Sequence, residues 1–293
     1  MAQTDKTAVV EAAIPMSELH RLLSDPAGKL RRLAGKGDRD LLRRLVHSTT
    51  EYLHRTTEQG LDLSEADLSG LDLSGLDLRR ANLTRARLDS TNLTDADLSG
   101  ATLICPMAER TTLRNAHLDD VYSHALAIVS SDSSGISMRG AIDSTGALFH
   151  GVQLAKASLS GGNYAGTTFY QCDLTDADLQ NCDLSGATFN ECVMRDTRLN
   201  NAQVSHLTIT RSNADGLVLA GATGTGMTMQ SMSGLRGVDL RSSRLPSLHI
   251  RSAALTEVTL SGATLSGLTM TDAALTDCDL GDCDLTGAVF RSG

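Results

Sequence analysis

From Leu63 onward an apolar side chain recurs at every fifth position: Leu63, Leu68, Leu73, Leu78, Leu83, Leu88, Leu93, Leu98 and Leu103. Two residues before each stands a small or aliphatic side chain, among them Leu61, Ala66, Ala81, Ala86 and Ala96, and the position between is Asp or Asn in most units. A period of five matches neither a helix, at about 3.6 residues per turn, nor a strand, at about 2. It is the mark of a repeat architecture. A five-residue unit cannot bury its own apolar side chain, but stacked units build a continuous apolar column.

The period runs in three blocks. The central position is apolar in all 12 units from Leu63 to Leu118, in all 12 from Leu154 to Ile209 and in all 11 from Leu240 to Phe290. The blocks are offset by one residue, with Leu148 and Leu154 six apart and Gly234 and Leu240 likewise, which predicts single-residue bulges inside an intact stack. Regularity is lost over about 104–151 and thins over about 211–237. The first is expected to be an irregular excursion from the scaffold. The second, which contains Gly221-Ala222-Thr223-Gly224-Thr225-Gly226, reads as degenerate repeat units, because it lacks the Lys-Ser/Thr and the strand–helix setting of a phosphate loop.

Units such as Ala66-Asp67-Leu68-Ser69-Gly70, Ala81-Asn82-Leu83-Thr84-Arg85 and Ala177-Asp178-Leu179-Gln180-Asn181 resemble the A(D/N)LXX unit of the pentapeptide-repeat family. The resemblance covers about residues 61–290. It implies an all-β solenoid, a right-handed quadrilateral β-helix with four units per coil and one per face. The leucine and the small residue two before it would point inward. About ten coils at ~4.8 Å would make a rod roughly 50 Å long. The 3% aromatic content and the absence of Trp suit a lumen too narrow for large rings.

Residues 1–60 do not follow the repeat. Met16, Leu19, Leu22 and Leu23 lie at helical spacing, and a second helix is expected from Asp38 to about Thr57, with Leu41, Leu42, Leu45, Val46, Tyr52 and Leu53 on its apolar side. Such a segment would cap the first coil, whose strand edges and lumen would otherwise lie open; the alternative is a helical pair that docks a partner through Arg31, Arg32, Arg43 and Arg44. At the other end regular units continue to Phe290, which predicts a homodimer joined end to end.

Charge sharpens the picture. Residues 1–60 carry a net of +2 and residues 61–293 a net of −11. An acidic rod repels nucleic acid and attracts basic protein surfaces. The sequence shows neither a membrane-length apolar run nor a leader, so the chain reads as cytoplasmic and away from the membrane. No residue set calls for a cofactor. Cys172, Cys182, Cys192, Cys278 and Cys283 fall on the small inward position, where they read as buried free thiols, with Cys172 and Cys192 stacked in successive coils.

Two sets of residues carry functional expectations. The outward carboxylates Asp62, Asp67, Asp72 and Asp77 would girdle one coil, Asp97 would stack over Asp77, and Asp173, Asp178 and Asp183 would girdle three faces of a later coil. By resemblance to the family's gyrase-binding members, they could mimic DNA phosphates toward a type II topoisomerase and confer antibiotic resistance. Arg79, Arg80, Arg85, Arg87, Arg236, Arg241, Arg244 and Arg251 interrupt that acidity. A general interaction scaffold is the broader reading. The alternative is an enzyme, or an accessory factor of a peptide or natural-product modification pathway, using the 104–150 stretch. There Cys105 with His117 or His124 would serve as nucleophile and base, and Tyr122 lies nearby. The histidines lack metal-ligand spacing.

Overall fold

The computed structural model describes residues 39–291 together with Ser24, Asp25, Gly28 and Leu30, with side chains from Arg44 onward in the helix that opens the continuous stretch. The first expected helix, around Met16 to Leu23, lies outside the described residues. The second is α1 (Arg39–Thr56). Past it the chain winds as a solenoid in which the ladder residue of each unit pairs in parallel with one 20 or 21 positions later. Four faces follow from the bridges, and they begin at Asp62, Asp67, Asp72 and Asp77.

The second face carries the longest strands. They are β1 (Met107–Glu109), β2 (Ala127–Val129), β3 (Leu148–His150), β4 (Thr168–Tyr170), β5 (Thr188–Asn190), β6 (Thr208–Thr210), β7 (Thr228–Gln230), β8 (His249–Thr256), β9 (Thr269–Thr276) and β10 (Val289–Arg291). They form one parallel sheet in sequential order. Toward the amino end the same face continues through single bridges, Asp67 to Arg87 and Arg87 to Met107.

Each unit has a physical reason for its five residues. The middle Asp or Asn turns its side chain back on the corner: Asp62 Oδ1 accepts from the Ser64 N–H at 3.1 Å, and Asn82 Oδ1 from the Thr84 N–H at 3.1 Å. The corner closes with a bond from the N–H of Ala66 to the Leu63 carbonyl, 3.2 Å. Its last residue takes a left-handed conformation, φ +58° at Glu65 and +70° at Gly70, as the third residue of a type II turn requires. The flanking N–H groups then bond the next coil, Leu63 to the carbonyl of Asn82 and Glu65 to that of Thr84, both at 2.8 Å.

Central leucines and the small residues before them fill a single apolar column, continuous with Leu45 and Val46 of α1. Inward Thr and Cys are satisfied by a common rule, donating to the carbonyl 23 positions earlier: Thr91 to Leu68, Thr111 to Leu88, Thr197 to Leu174, Cys172 to Phe149 and Cys182 to Leu159.

The lumen is wider than its leucines imply. Phe149, Phe169 and Phe189 are fully buried in it and stack face to face, centroids 4.9 and 4.6 Å apart. That spacing is the inter-strand distance of about 4.8 Å, so rings fit when each lies on the one before. Tyr164 is also fully buried. Its unit carries Gly162 at the small inward position, where a Cβ would sit 2.5 Å from the tyrosine Cε2.

The stretch 104–151, expected to leave the scaffold, stays in the ladder: Thr102 bridges Tyr122, Thr112 bridges Asp132 and His117 bridges Ser137. Ser123, Ser133 and Ser144 take the central inward position there. The one-residue slip falls between Ser137 and Asp143, where Ile142 bulges outward, rather than between Leu148 and Leu154. Leu148 is 38% exposed on the sheet face and Phe149 is the inward residue. The second slip falls between Gln230 and Gly234, and Leu235 is the inward residue.

Candidate functional site

The eight outward aspartates sit where the period placed them. Asp62, Asp67, Asp72 and Asp77 occupy four faces, Asp77 bridges Asp97, and Asp173, Asp178 and Asp183 occupy the third, fourth and first faces. Each of the eight also has a structural task, for its Oδ1 accepts the N–H two residues on, at 2.9 to 3.3 Å. The carboxylate that could meet a partner is thus held by the turn and aimed outward by it.

The arginines that interrupt the acidity are mostly spent inside the molecule. Arg79 chelates Asp77, with Nε to Oδ1 at 2.9 Å and Nη2 to Oδ2 at 2.7 Å, and its Nη2 reaches Glu51 Oε1 of α1 at 2.6 Å. His47 Nδ1 lies 3.0 Å from Asp77 Oδ2, Thr50 Oγ1 donates to the Asp77 carbonyl at 2.9 Å, and His54 Nε2 lies 3.2 Å from the Arg79 carbonyl. Partial burial pushes the Asp77 pKa up, but hydrogen bonds from Arg79 and His47 outweigh it and hold the carboxyl below its ordinary range. His47, Glu51 and Asp77 are close enough to hold a cation, yet the Arg79 guanidinium already bridges both carboxylates. The cluster is an ion-pair clasp that fastens α1 to the first coil.

Further along, Arg198 pairs with Asp178 at 3.5 Å, Arg236 with Glu257 at 2.8 Å and Arg241 with Asp239 at 2.7 Å. Among the described residues no cation pairs with Asp173 or Asp183. Asp173 accepts only from Thr175, through its N–H and hydroxyl, and Asp183 only from the Ser185 N–H. In the girdle beside α1, by contrast, Asp77 is neutralised by Arg79, while Asp62 accepts only from Ser64 and Asn82 among the described residues.

Of the four residues considered for chemistry, Cys105, Tyr122 and His124 lie on the first face of adjacent coils and His117 on the fourth. Cys105 is exposed at a corner, and its backbone N–H bonds the His124 carbonyl at 3.1 Å. The His124 ring turns instead to Asp143, Nδ1 to Oδ2 3.3 Å. The other thiols behave as small apolar groups: Cys172, Cys182 and Cys192 are buried, and burial pushes the Cys182 thiol up to about 12. Among the described residues, no helix is long and apolar enough to cross a membrane.

The fold and its repeat define a class. The family model for pentapeptide repeats matches eight copies, over residues 62–100, 81–120, 147–186, 172–206 and 253–291. The chain belongs to the pentapeptide-repeat family. No curated protein matches it. Among solved structures it is similar to HetL, a pentapeptide repeat protein involved in heterocyst differentiation regulation from the cyanobacterium Nostoc sp. strain PCC 7120, at 20% identity over 81% of this chain and 94% of that one, TM-score 0.27. It is similar also to trypsin-treated QnrB1, a plasmid-mediated fluoroquinolone resistance protein, at 13% identity over 79% and 90%, TM-score 0.33. A third is a pentapeptide repeat protein from the Arabidopsis thaliana thylakoid lumen, at 27% identity over 34% and 66%, TM-score 0.26.

Proposed function

We propose that the protein is a non-catalytic interaction scaffold of the cytoplasm, whose acidic first, third and fourth faces dock a basic protein surface. Its sharpest form is occupation of the DNA-binding saddle of a type II topoisomerase such as gyrase, in the manner of an antibiotic-immunity protein. The carrying observation is the band of Asp173, Asp178 and Asp183, three carboxylates on three successive faces of one coil, two of them without a cation. Such a band presents negative charge around a rod at fixed spacing, as a phosphate backbone does.

The test is gyrase supercoiling with purified protein, alongside direct binding at rising salt. Inhibition or protection at micromolar concentration, weakened by Asp173→Asn with Asp183→Asn, supports the reading. No binding, inhibition or protection at that concentration rejects the topoisomerase partner. A homodimer through the carboxyl-terminal coil belongs to the same reading, because the inward side chains there lie uncovered: Leu280 is 43% and Phe290 56% exposed.

A further inference from the structure

The second face differs from the other three. From β2 to β10 its 18 outward side chains, the first and third of each strand's opening triplet, include no Asp or Glu. The other ladders carry aspartates, Asp143, Asp183 and Asp284 on the first, Asp132 and Asp173 on the third, Asp178, Asp239 and Asp279 on the fourth, although the third has none past Asp173. In a rod of net −11, this face is clear of acid at its outward ladder positions from β2 on, with Glu191 and Asp272 at its corners.

At its carboxyl-terminal half the same face opens a groove of about 440 Å³ lined by His206, Thr228, Gln230, His249, Arg251 and Thr269. The floor is bare because residue 226 is glycine, where a Cβ would meet His206 Nδ1 at 3.0 Å. Thr228 and His249 are direct ladder partners, as are Gln230 and Arg251. Apart from Gly226 and Ile250, every lining residue has a side chain that can donate, and no carboxylate lines the groove. His249 Nδ1 lies 2.7 Å from the Ser247 carbonyl; that oxygen only accepts, so Nδ1 carries a proton, and Nε2 accepts in the neutral ring and donates only in the imidazolium.

The charge of Arg251 is unspent. Arg211, Arg236 and Arg241 each have a carboxylate partner, whereas Arg251 has neither an ion pair nor a side-chain hydrogen bond among the described residues. Two carboxylates at the corners of this face do not answer it. Glu191 is held by Arg211 and Gln171, and Asp272 lines a separate groove with Met232 and Ser252. An unpaired guanidinium beside imidazoles and hydroxyls, at ladder positions cleared of carboxylates, has the donor set of an oxyanion site.

We propose that this groove binds a phosphate group, free or as a monoester on a small molecule, with Arg251 supplying the charge-assisted hydrogen bonds and His206, Thr228, Gln230 and the imidazolium form of His249 the remaining donors. A phosphate monoester carries about −1.5 to −2 charge at pH 7 and three strong acceptor oxygens, where a carboxylate has two. The site is separate from the acidic faces, so its outcome is independent of the topoisomerase reading.

The test uses the full chain, with inorganic phosphate, O-phosphoserine and glutamate titrated to millimolar concentration. Calorimetry reads affinity, and the ring carbon–proton NMR signals of His206 and His249 report the place. The expected result is saturable shifts of both rings with phosphate or phosphoserine, whichever source fits better, and weaker ones with glutamate. Arg251→Gln should weaken binding about tenfold or more with the circular dichroism unchanged, since it removes a charge-assisted contact. Arg236→Gln, which removes a cation already paired, should leave binding as it was. Absence of shifts with both phosphates, equal binding of glutamate, or equal loss in the Arg236→Gln variant would each overturn the proposal.

Discussion

The unit Gly162-Asn163-Tyr164 reverses the usual small–polar–leucine order of sizes, and a double-mutant cycle on it tests the packing logic of the whole lumen. Tyr164 fills the space that a side chain at residue 162 would take, and its hydroxyl donates to the Met138 carbonyl at 3.1 Å. That carbonyl needs a donor. At regular corners it would accept the N–H three residues on, as Ser133 accepts from Ile136, but the Ile142 bulge leaves Met138 without that bond. Gly162→Ala drives a Cβ to within 2.5 Å of the ring edge. Overpacking of this kind costs about 1–3 kcal/mol, offset by about 0.4–1 kcal/mol from a stiffer unfolded chain. Tyr164→Leu strands the buried carbonyl and opens a cavity, a loss of about 2–4 kcal/mol. Together the two changes restore the ordinary small–polar–leucine unit, so the overpacking cost disappears. The double variant should be more stable than the sum of the singles by about 1–3 kcal/mol. A solenoid does not unfold as one two-state unit, so the readout is native-state hydrogen exchange at the amides of Tyr164 and Gly140, which bond the Asp183 and Ser160 carbonyls. Additivity within about 0.5 kcal/mol would refute the account.

Acid should release α1 before the coils. The Asp77 pKa lies below its unfolded value of about 3.9, so its contribution is complete above that pH and is lost as pH falls through the folded value; far-UV dichroism should lose helical signal at that point, Arg79→Met should detach α1 already at neutral pH, and an unchanged signal in both would refute the clasp. Ser133→Ala should raise the melting temperature, because the buried Ser133 hydroxyl has no partner and its removal returns about 1 kcal/mol; destabilisation would show a hidden bond. Phe290→Asp should convert a dimer to a monomer by light scattering, and a wild-type monomer at micromolar concentration would end the dimer reading.

The solenoid was legible because its central positions obey one rule, and α1 was legible to within a residue or two because Leu45, Val46 and Leu53 follow another. What failed was the assumption that an inward position must be apolar. Ser123, Ser133 and Ser144 looked like a break in the repeat, yet the lumen admits serine: Ser123 and Ser144 bond each other at 2.6 Å, and the Ser133 hydroxyl is buried without a partner. The register error had a single cause. Leu148 fits the pattern by type, but Phe149 is the inward residue, because the bulge at Ile142 has already shifted the frame. A search for Phe at intervals of 20 would have found it, since Phe149, Phe169 and Phe189 form one stack. The clasp at Asp77 and the cleared second face were not legible, because each depends on which side chains the coil brings together across 20 or more residues.

The aspartates show why function is harder to read here than fold. A carboxylate and an amide serve the corner equally: Asp173 accepts the Thr175 N–H at 3.0 Å and Asn163 accepts the Ala165 N–H at 3.1 Å. The turn therefore asks only for an Asx side chain, and it cannot explain why Asp rather than Asn occupies a given corner. The excess of Asp on the ladders of three faces, against none at the outward ladder positions of the second from β2 onward, is a choice that the fold leaves free. Charge is the property that the turn does not fix, so it is the property available for recognition. Asp→Asn at these positions separates the two roles, keeping the corner while removing the charge. A loss of partner binding without loss of stability would then belong to electrostatics alone.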